Sequence, residues 1–197
     1  MARTASQVGK SNVSCGKAFE RQVAKILTDL TGQVFRRRRV EGRDTTTIDR
    51  DFTSDVIPAS VEPEYSIEVK NGKGFSVAAM FTNRETNKFT CWWHQANYDA
   101  KLATEAVGRS IAPMLFFRPT PQSIFVAVPV DHVSRLFGDV ELSGIKYCEY
   151  EGHEIGMNVV HTKNSKNKNV VKLELRNVFI LPVQSFLKMT YPTLLYR

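Results

Sequence analysis

Two residues that could take part in acid–base or metal chemistry, Glu68 and Lys70, stand two positions apart in the stretch "YSIEVKNGKGF", residues 65–75. Side chains alternate between the two faces of a β-strand. Glu68 and Lys70 therefore share one face with Ser66. The apolar residues Tyr65, Ile67 and Val69 share the other face. Charged residues make up 24% of the chain, so a half-exposed strand with this pair in water is the alternative.

Two further carboxylates can join this pair. Asp55 opens a short apolar run that Pro58 ends, and thirteen positions separate it from Glu68, about what a short hairpin requires. Glu20 lies on a predicted helix, beside the apolar stripe rather than opposite it. The alternative for Glu20 is a surface partner of a basic residue.

Three carboxylates and a lysine suit the hydrolysis of a phosphodiester. That reaction needs neutralised phosphoryl oxygens, a nucleophilic water and a stabilised leaving oxygen. Mg²⁺ is usually held by one or two carboxylates plus waters. Asp55 and Glu68 can supply two ligands, Glu20 can bind directly or through water, and Lys70 can orient or deprotonate the attacking water.

The surrounding elements predict a fold that could position these groups. A helical stripe runs from Gly16 to Leu30, with Ser14 as the N-cap, and a second helix is predicted over residues 90–107. Short apolar runs predict strands at residues 34–39, 56–58, 65–71, 113–118 and 123–129, followed by further strands and a terminal helix at residues 185–189. This order predicts an α/β fold with a mixed central sheet flanked by helices.

The net charge of +7 is concentrated near the start of the chain. Residues 1–43 hold ten basic residues against three acidic ones, and the rest of the chain is balanced. Four consecutive arginines would repel one another unless a polyanion lies nearby, and guanidinium groups suit phosphate oxygens. We therefore predict DNA contacts, with a solvated charge run or a localisation signal as the alternative. The predicted DNA-binding residues are Arg36, Arg37, Arg38, Arg39, Arg43 and Lys73.

Other classes of site are not favoured by the sequence. The three cysteines and four histidines are scattered, which argues against a disulfide framework and a structural zinc site. The N-terminal residues have no apolar segment typical of a secretory signal, and no apolar run is long enough to span a membrane. We expect a cytoplasmic protein, in the host-cell cytoplasm or nucleoid if it is viral.

Five short segments together resemble a known family. They are "GKAFERQVAKIL", "VFRRR", "SDVI", "IEVK" and a helix carrying "HQ". In this order they resemble the PD-(D/E)-x-K nuclease superfamily, and most closely the Holliday junction resolvases of archaeal and phage type; the "HQ" helix is also similar to the Gram-positive bacterial resolvases. The resemblance covers about residues 14–128. It implies a restriction-endonuclease-like fold, two Mg²⁺-dependent sites in a homodimer, and nicking of branched DNA.

The resemblance also assigns roles to individual residues. It implies catalytic positions for Glu20, Asp55, Glu68, Lys70 and Gln95, of which Glu20, Asp55 and Glu68 would bind the metal. Gln95 could instead be a polar residue at a helix edge. The chain departs from the family at three places. Ser54 stands where a proline usually precedes the aspartate, and Asp49 or Asp51 could compete for the aspartate role. Where archaeal-type resolvases have a serine, this chain has Thr45, Thr46 and Thr47.

These inferences give one leading hypothesis and two alternatives. The leading hypothesis is a Mg²⁺-dependent, structure-selective endonuclease acting on four-way DNA junctions, in which Mn²⁺ can substitute for Mg²⁺. The alternatives are a sequence-specific restriction-type or repair endonuclease of the same fold, and a non-catalytic DNA-binding protein on a nuclease fold. We expect a flexible arm over residues 1–13 and one nuclease domain over residues 14–197, with residues 140–197 as a C-terminal elaboration.

Overall fold

Helices and strands alternate along most of the chain. The computed structural model describes residues 5–39, 46–72, 88–120, 123–138, 159–163, 169–173 and 178–196. Its helices are α1 (Ala5–Thr31), α2 (Thr47–Asp51), α3 (Lys88–Val107), α4 (Val133–Phe137) and α5 (Val183–Met189). Its strands are β1 (Phe35–Arg37), β2 (Val56–Pro58), β3 (Tyr65–Asn71), β4 (Ala112–Thr120), β5 (Ser123–Pro129), β6 (Val159–Lys163), β7 (Asn169–Leu173) and β8 (Val178–Pro182).

A six-stranded mixed sheet organises the structure, with the strand order β1-β2-β3-β4-β5-β8. Strands β3 and β4 are parallel and joined through α3, while the other neighbours are antiparallel. Strand β4 lies between β3 and β5, and its continuous apolar run is buried from Ala112 to Phe117, as expected for a strand covered on both faces. Strands β6 and β7 form a separate antiparallel pair. The predicted α/β fold is confirmed.

Helices cover both faces of the sheet. Helix α1 buries Phe19, Val23 and Leu27 in one core together with Ile67 and Val69 of β3. On the other face, α3 packs its own apolar stripe against alternate residues of β4 and β5 in a second core: Phe89, Trp93, Ala96, Leu115, Phe117 and Ala127. Side chains alternate along β3, so Ser66, Glu68 and Lys70, which alternate with Ile67 and Val69, point towards the α3 face.

The first helix is longer than its periodicity indicates. It begins at Ala5, nine residues before the predicted N-cap Ser14, so residues 5–13 are helical where we predicted a flexible arm. Once a helix is nucleated, each further residue adds one backbone hydrogen bond, and this segment contains no proline to stop it. The packed turns from Phe19 onward therefore support a polar extension that carries no apolar pattern.

The C-terminal residues complete the central sheet. Strand β8 pairs with β5, from Phe125 opposite Pro182 to Pro129 opposite Val178. Helix α5, predicted over residues 185–189, is present and buries Phe186 in the core beneath α1. Residues 178–189 are thus an integral part of the domain core, whereas we predicted residues 140–197 to be an elaboration. A local pattern cannot reveal which earlier strand a late strand will join.

Two features of the described residues bear on the class of protein. No helix among them has the length and apolar character needed to cross a membrane. Cys15 and Cys91 are free thiols.

Candidate active site

Pairing between β2 and β3 fixes the position of Asp55. Its backbone N–H donates to the carbonyl oxygen of Ile67 at 2.9 Å, and its Oδ2 accepts from the N–H of Val69 at 2.9 Å. Val56 packs in the core beneath α1 and Ile57 in a small core beside α3. Alternation along the strand therefore places the Asp55 side chain on the α3 face.

Glu68 and Lys70 share that face of the sheet. Leu115, the register partner of Glu68 on β4, packs against α3. The Glu68 side chain is almost completely buried, with 2% of its surface exposed, and its Oε1 accepts a hydrogen bond from Nζ of the partly buried Lys70. The predicted strand alternation is confirmed, whereas the alternative of a pair in open water is excluded.

The electrostatics around Glu68 favour added positive charge. Burial raises the pKa of Glu68 to about 8; repulsion from Asp55 and Asp99 contributes to the rise, and the Lys70 ammonium opposes it. One lysine therefore does not compensate the buried carboxylates. A cation close to Glu68 would lower its pKa and stabilise its ionised form.

Asp99 of α3 is a site residue that the sequence interpretation missed. Its side chain is buried and accepts hydrogen bonds from Thr53 Oγ1 at 3.1 Å and from the Gln95 side chain. Burial raises the pKa of Asp99, and attraction to Lys70 lowers it. A signal was present in the sequence, because a carboxylate three residues after Ala96 falls within the apolar stripe of the helix.

Gln95 lies at the exposed edge of α3, and its hydrogen bond to Asp99 links it to the site. Gln95 thus contacts Asp99, which in turn interacts electrostatically with Lys70 and Glu68. Its predicted catalytic role stays a prediction.

Glu20 is paired with an arginine. It lies on α1, which covers the opposite face of the sheet, and its Oε2 accepts a hydrogen bond from Nε of Arg37. The exposed fraction of the Glu20 side chain is 16%. Among the residues that the structure describes, no group of three or more Asp, Glu, His or Cys side chains is arranged to hold a metal ion. The structure brings Asp55, Glu68 and Lys70 together, and Glu20 as a third ligand stays a prediction.

Asp49, a competitor for the aspartate role, is fully occupied by structural contacts. It accepts two hydrogen bonds from the Arg36 guanidinium, at 2.7 and 2.6 Å, and one from the Arg39 backbone at 2.8 Å. Thr46 donates to it from its backbone and from its hydroxyl, which also caps α2. Burial alone would raise the pKa of Asp49, but these donors outweigh burial and hold the pKa well below its usual range.

Comparison with protein families identifies the family of the chain. A sequence model of the family described as "Phage putative PDDEXK endonuclease" matches residues 11–177. This chain belongs to that PD-(D/E)-x-K endonuclease family. Membership of the family indicates a nuclease with DNA as its substrate, and confirms the resemblance at the level of the superfamily. No curated protein and no solved structure shows significant similarity to the chain.

Within this endonuclease family divalent metals are the usual cofactors, and the residues present fit such an ion. Asp55 and Glu68 offer carboxylate oxygens from neighbouring strands, and oxygen ligands are those that Mg²⁺ and Mn²⁺ prefer. Burial, together with repulsion from Asp55, raises the pKa of Glu68, and a bound cation would favour its ionised form. The position before the motif aspartate, usually proline in the family, is filled by Ser54, whose buried hydroxyl lies 2.9 Å from that of Ser66.

The arginine run of this endonuclease is anchored at both faces of the sheet. Arg36 is held by Asp49 and Arg37 by Glu20. The Arg38 backbone N–H donates to the carbonyl oxygen of Asp55 at 3.0 Å, and its guanidinium donates to the carbonyl oxygen of Asp49 at 3.3 Å. The predicted DNA contacts Arg43 and Lys73, and the hydroxyl candidate Thr45, lie outside the described residues.

Proposed function

We propose that the chain is a Mg²⁺-dependent, structure-selective endodeoxyribonuclease that hydrolyses phosphodiesters in four-way (Holliday) junction DNA. The observation that carries the proposal is the grouping of Asp55, Glu68 and Lys70 on one face of two paired strands. It supplies two carboxylates and one ammonium at a partly buried position, in a chain whose family is one of endonucleases.

Each of these three residues has a separate task in the proposed reaction. When bound, a divalent ion supplies charge neutralisation at the phosphoryl oxygens and lowers the pKa of a coordinated water. Asp55 and Glu68 would hold that ion, and the Val69 amide fixes the orientation of Asp55. Lys70 would give up its bond to Glu68 and orient the attacking water, or, after releasing its own proton to solvent, accept a proton from that water, a role that contributes about 10² to 10⁴ in rate.

The arginine run supports a substrate chosen by shape. Arginine contacts to phosphates position a nucleic acid but carry no base information. The excess of positive charge in residues 1–43 therefore suits an enzyme that recognises how duplex arms are arranged. Symmetric resolution of a junction needs two nicks, for which a homodimer with two sites is the simplest arrangement, working in the cytoplasm or nucleoid of the host cell.

A cleavage assay tests the proposal. Purified protein is incubated with a synthetic four-way junction or a linear duplex of the same arm sequences, in Mg²⁺, in Mn²⁺ or in EDTA. We expect paired nicks in the junction with either metal and none in EDTA. Cleavage of the duplex at a fixed sequence with the junction left intact would reject the resolvase function in favour of a restriction-type enzyme.

Matched carboxylate variants identify the acting residues. Asp55→Asn is expected to abolish cleavage while keeping salt-sensitive junction binding. Asp51→Asn removes a nearby carboxylate from α2 and is expected to cleave normally. If the wild type itself binds junctions but cuts nothing in either metal, the chain is a non-catalytic DNA-binding protein.

A further inference from the structure

A cationic cleft lies between α1 and β1. It has a volume of about 600 Å³, and the acidic side chain among its lining residues is Asp29. An ion pair of 3.1 Å joins Asp29 to Lys25, and Arg36 and Arg37 pair with Asp49 and Glu20, so three of the six cations in the lining have a carboxylate partner. Its cationic residues are Arg21, Lys25, Arg36, Arg37, Arg38 and Arg39.

The cleft and the candidate active site lie on different sides of the sheet. Ala24 and Phe35, which form part of the cleft wall, belong to the core beneath α1. Glu68 and Lys70 point towards α3, on the other face. Strand β1 is the edge strand of the sheet, so its arginines border both regions. The cleft is therefore a separate surface that shares only this edge with the catalytic group.

The chemistry of the cleft suits the backbone of a nucleic acid. Guanidinium groups bind phosphate oxygens in a bidentate manner. Arg21 and Lys25 are four residues apart on α1, so their side chains start about 5–6 Å from each other on one helix surface. A DNA strand presents a phosphate about every 3.4 Å along its axis, so both cations can contact one strand. The cleft is also much larger than a single phosphate group requires.

We propose that this cleft binds the phosphodiester backbone of a DNA arm other than the arm that carries the scissile phosphate. The inference rests on the proposed function and deepens it, because it names the part of the protein that recognises branching. A linear duplex lying across the α3 face leaves the α1 face without DNA. A junction sends its arms in different directions and presents backbone to both faces.

The test compares binding of two DNA shapes by a cleft variant. Arg21→Ala/Lys25→Ala is introduced into an Asp55→Asn background, so that no cleavage occurs during the measurement. Both cleft side chains are exposed, so the fold is expected to persist, which circular dichroism checks. Fluorescence anisotropy then gives affinities for a four-way junction and a linear duplex at salt concentrations from about 50 to 200 mM.

The expected result is a loss specific to the junction. Two lost phosphate contacts reduce the slope of log K against log salt by about 1.8, and we expect junction affinity to fall about tenfold while duplex affinity changes less than about twofold. Lys188→Ala is the control, because Lys188 is also an exposed lysine on a helix, α5, and does not line the cleft. We expect it to bind both shapes like its parent.

Two outcomes would overturn the inference: unchanged junction affinity and slope in the double variant, or equal losses for junction and duplex. A failure of the proposed function is distinguishable. It would show as absence of cleavage by the protein with Asp55 intact, whatever the cleft variant binds.

Discussion

The buried Glu68 carboxylate leads to an unusual expectation, namely that removing its charge stabilises the metal-free protein while destroying its activity. Glu68 is 1% exposed, and burial together with its acidic neighbours raises its pKa from an ordinary 4.5 to about 8. A carboxyl group whose pKa is higher in the folded than in the unfolded protein favours folding most when the pH lies below the unfolded pKa. That contribution is lost as the pH rises towards the folded value.

The size of the effect follows from the width of this interval. Each pH unit between 4.5 and 7 costs about 1.4 kcal/mol, so Glu68 lowers the free energy of unfolding by roughly 3 kcal/mol at pH 7 relative to acidic pH. Glu68→Gln keeps the shape and removes the charge. The attraction of Lys70 for the ionised form is already part of this pKa. We therefore expect Glu68→Gln to raise the free energy of unfolding by roughly 3 kcal/mol at pH 7.

Urea unfolding in EDTA measures this gain. Glu68→Gln should unfold at a higher urea concentration than the wild type at pH 7, and at nearly the same concentration at pH 4.5. Glu105→Gln is the matched control, because its carboxylate is exposed on α3 and paired with Lys101. This control should leave the pH dependence of the wild type unchanged.

Metal addition gives the complementary result. A divalent ion that binds only the folded protein, present at a concentration ten times its dissociation constant, stabilises the protein by about 1.4 kcal/mol. Mg²⁺ or Mn²⁺ should therefore stabilise the wild type, and stabilise Glu68→Gln much less. If Glu68→Gln were less stable than the wild type at pH 8 in EDTA, the reasoning about an uncompensated buried charge would be refuted.

Three further expectations concern the neighbours of Glu68 and the arginine anchor. Lys70→Met should slow cleavage by about 10²-fold or more while junction affinity measured by anisotropy is retained; a rate near that of the wild type would exclude a role in orienting water. Asp49→Asn should lower the free energy of unfolding by about 3 kcal/mol at pH 7, because it breaks a buried pair with Arg36. Because the folded pKa of Asp49 is depressed, its contribution is present above pH 3.8 and lost as the pH falls further, so urea unfolding should show the variant converging with the wild type in acid. Asp99→Asn should reduce single-turnover cleavage about tenfold, since the charge facing Lys70 is removed; a change below about twofold would count against its place in the site.

Local rules were sufficient for the central part of the site. A period of two places Glu68 and Lys70 on one face of any strand through residues 65–71, and a hairpin of the available length brings Asp55 beside them. Both features are present, with Val56 opposite Ile67 in the register. The helices that cover the two faces of the sheet could likewise be predicted from their apolar stripes, because an apolar stripe at helical spacing is the face that a helix buries.

The tertiary structure decided which helix meets which face. Glu20 lies on α1 beside the apolar stripe, as its spacing indicates, yet α1 covers the face away from Glu68, and Arg37 binds it there. Asp99 comes to the site because the connection from β3 to β4 carries α3 over the other face. Asp49, equivalent to Asp55 by residue type, is neutralised by donors up to thirteen positions away. Periodicity is a property of neighbouring residues, whereas the side of the sheet that a helix covers depends on packing between segments far apart in the chain.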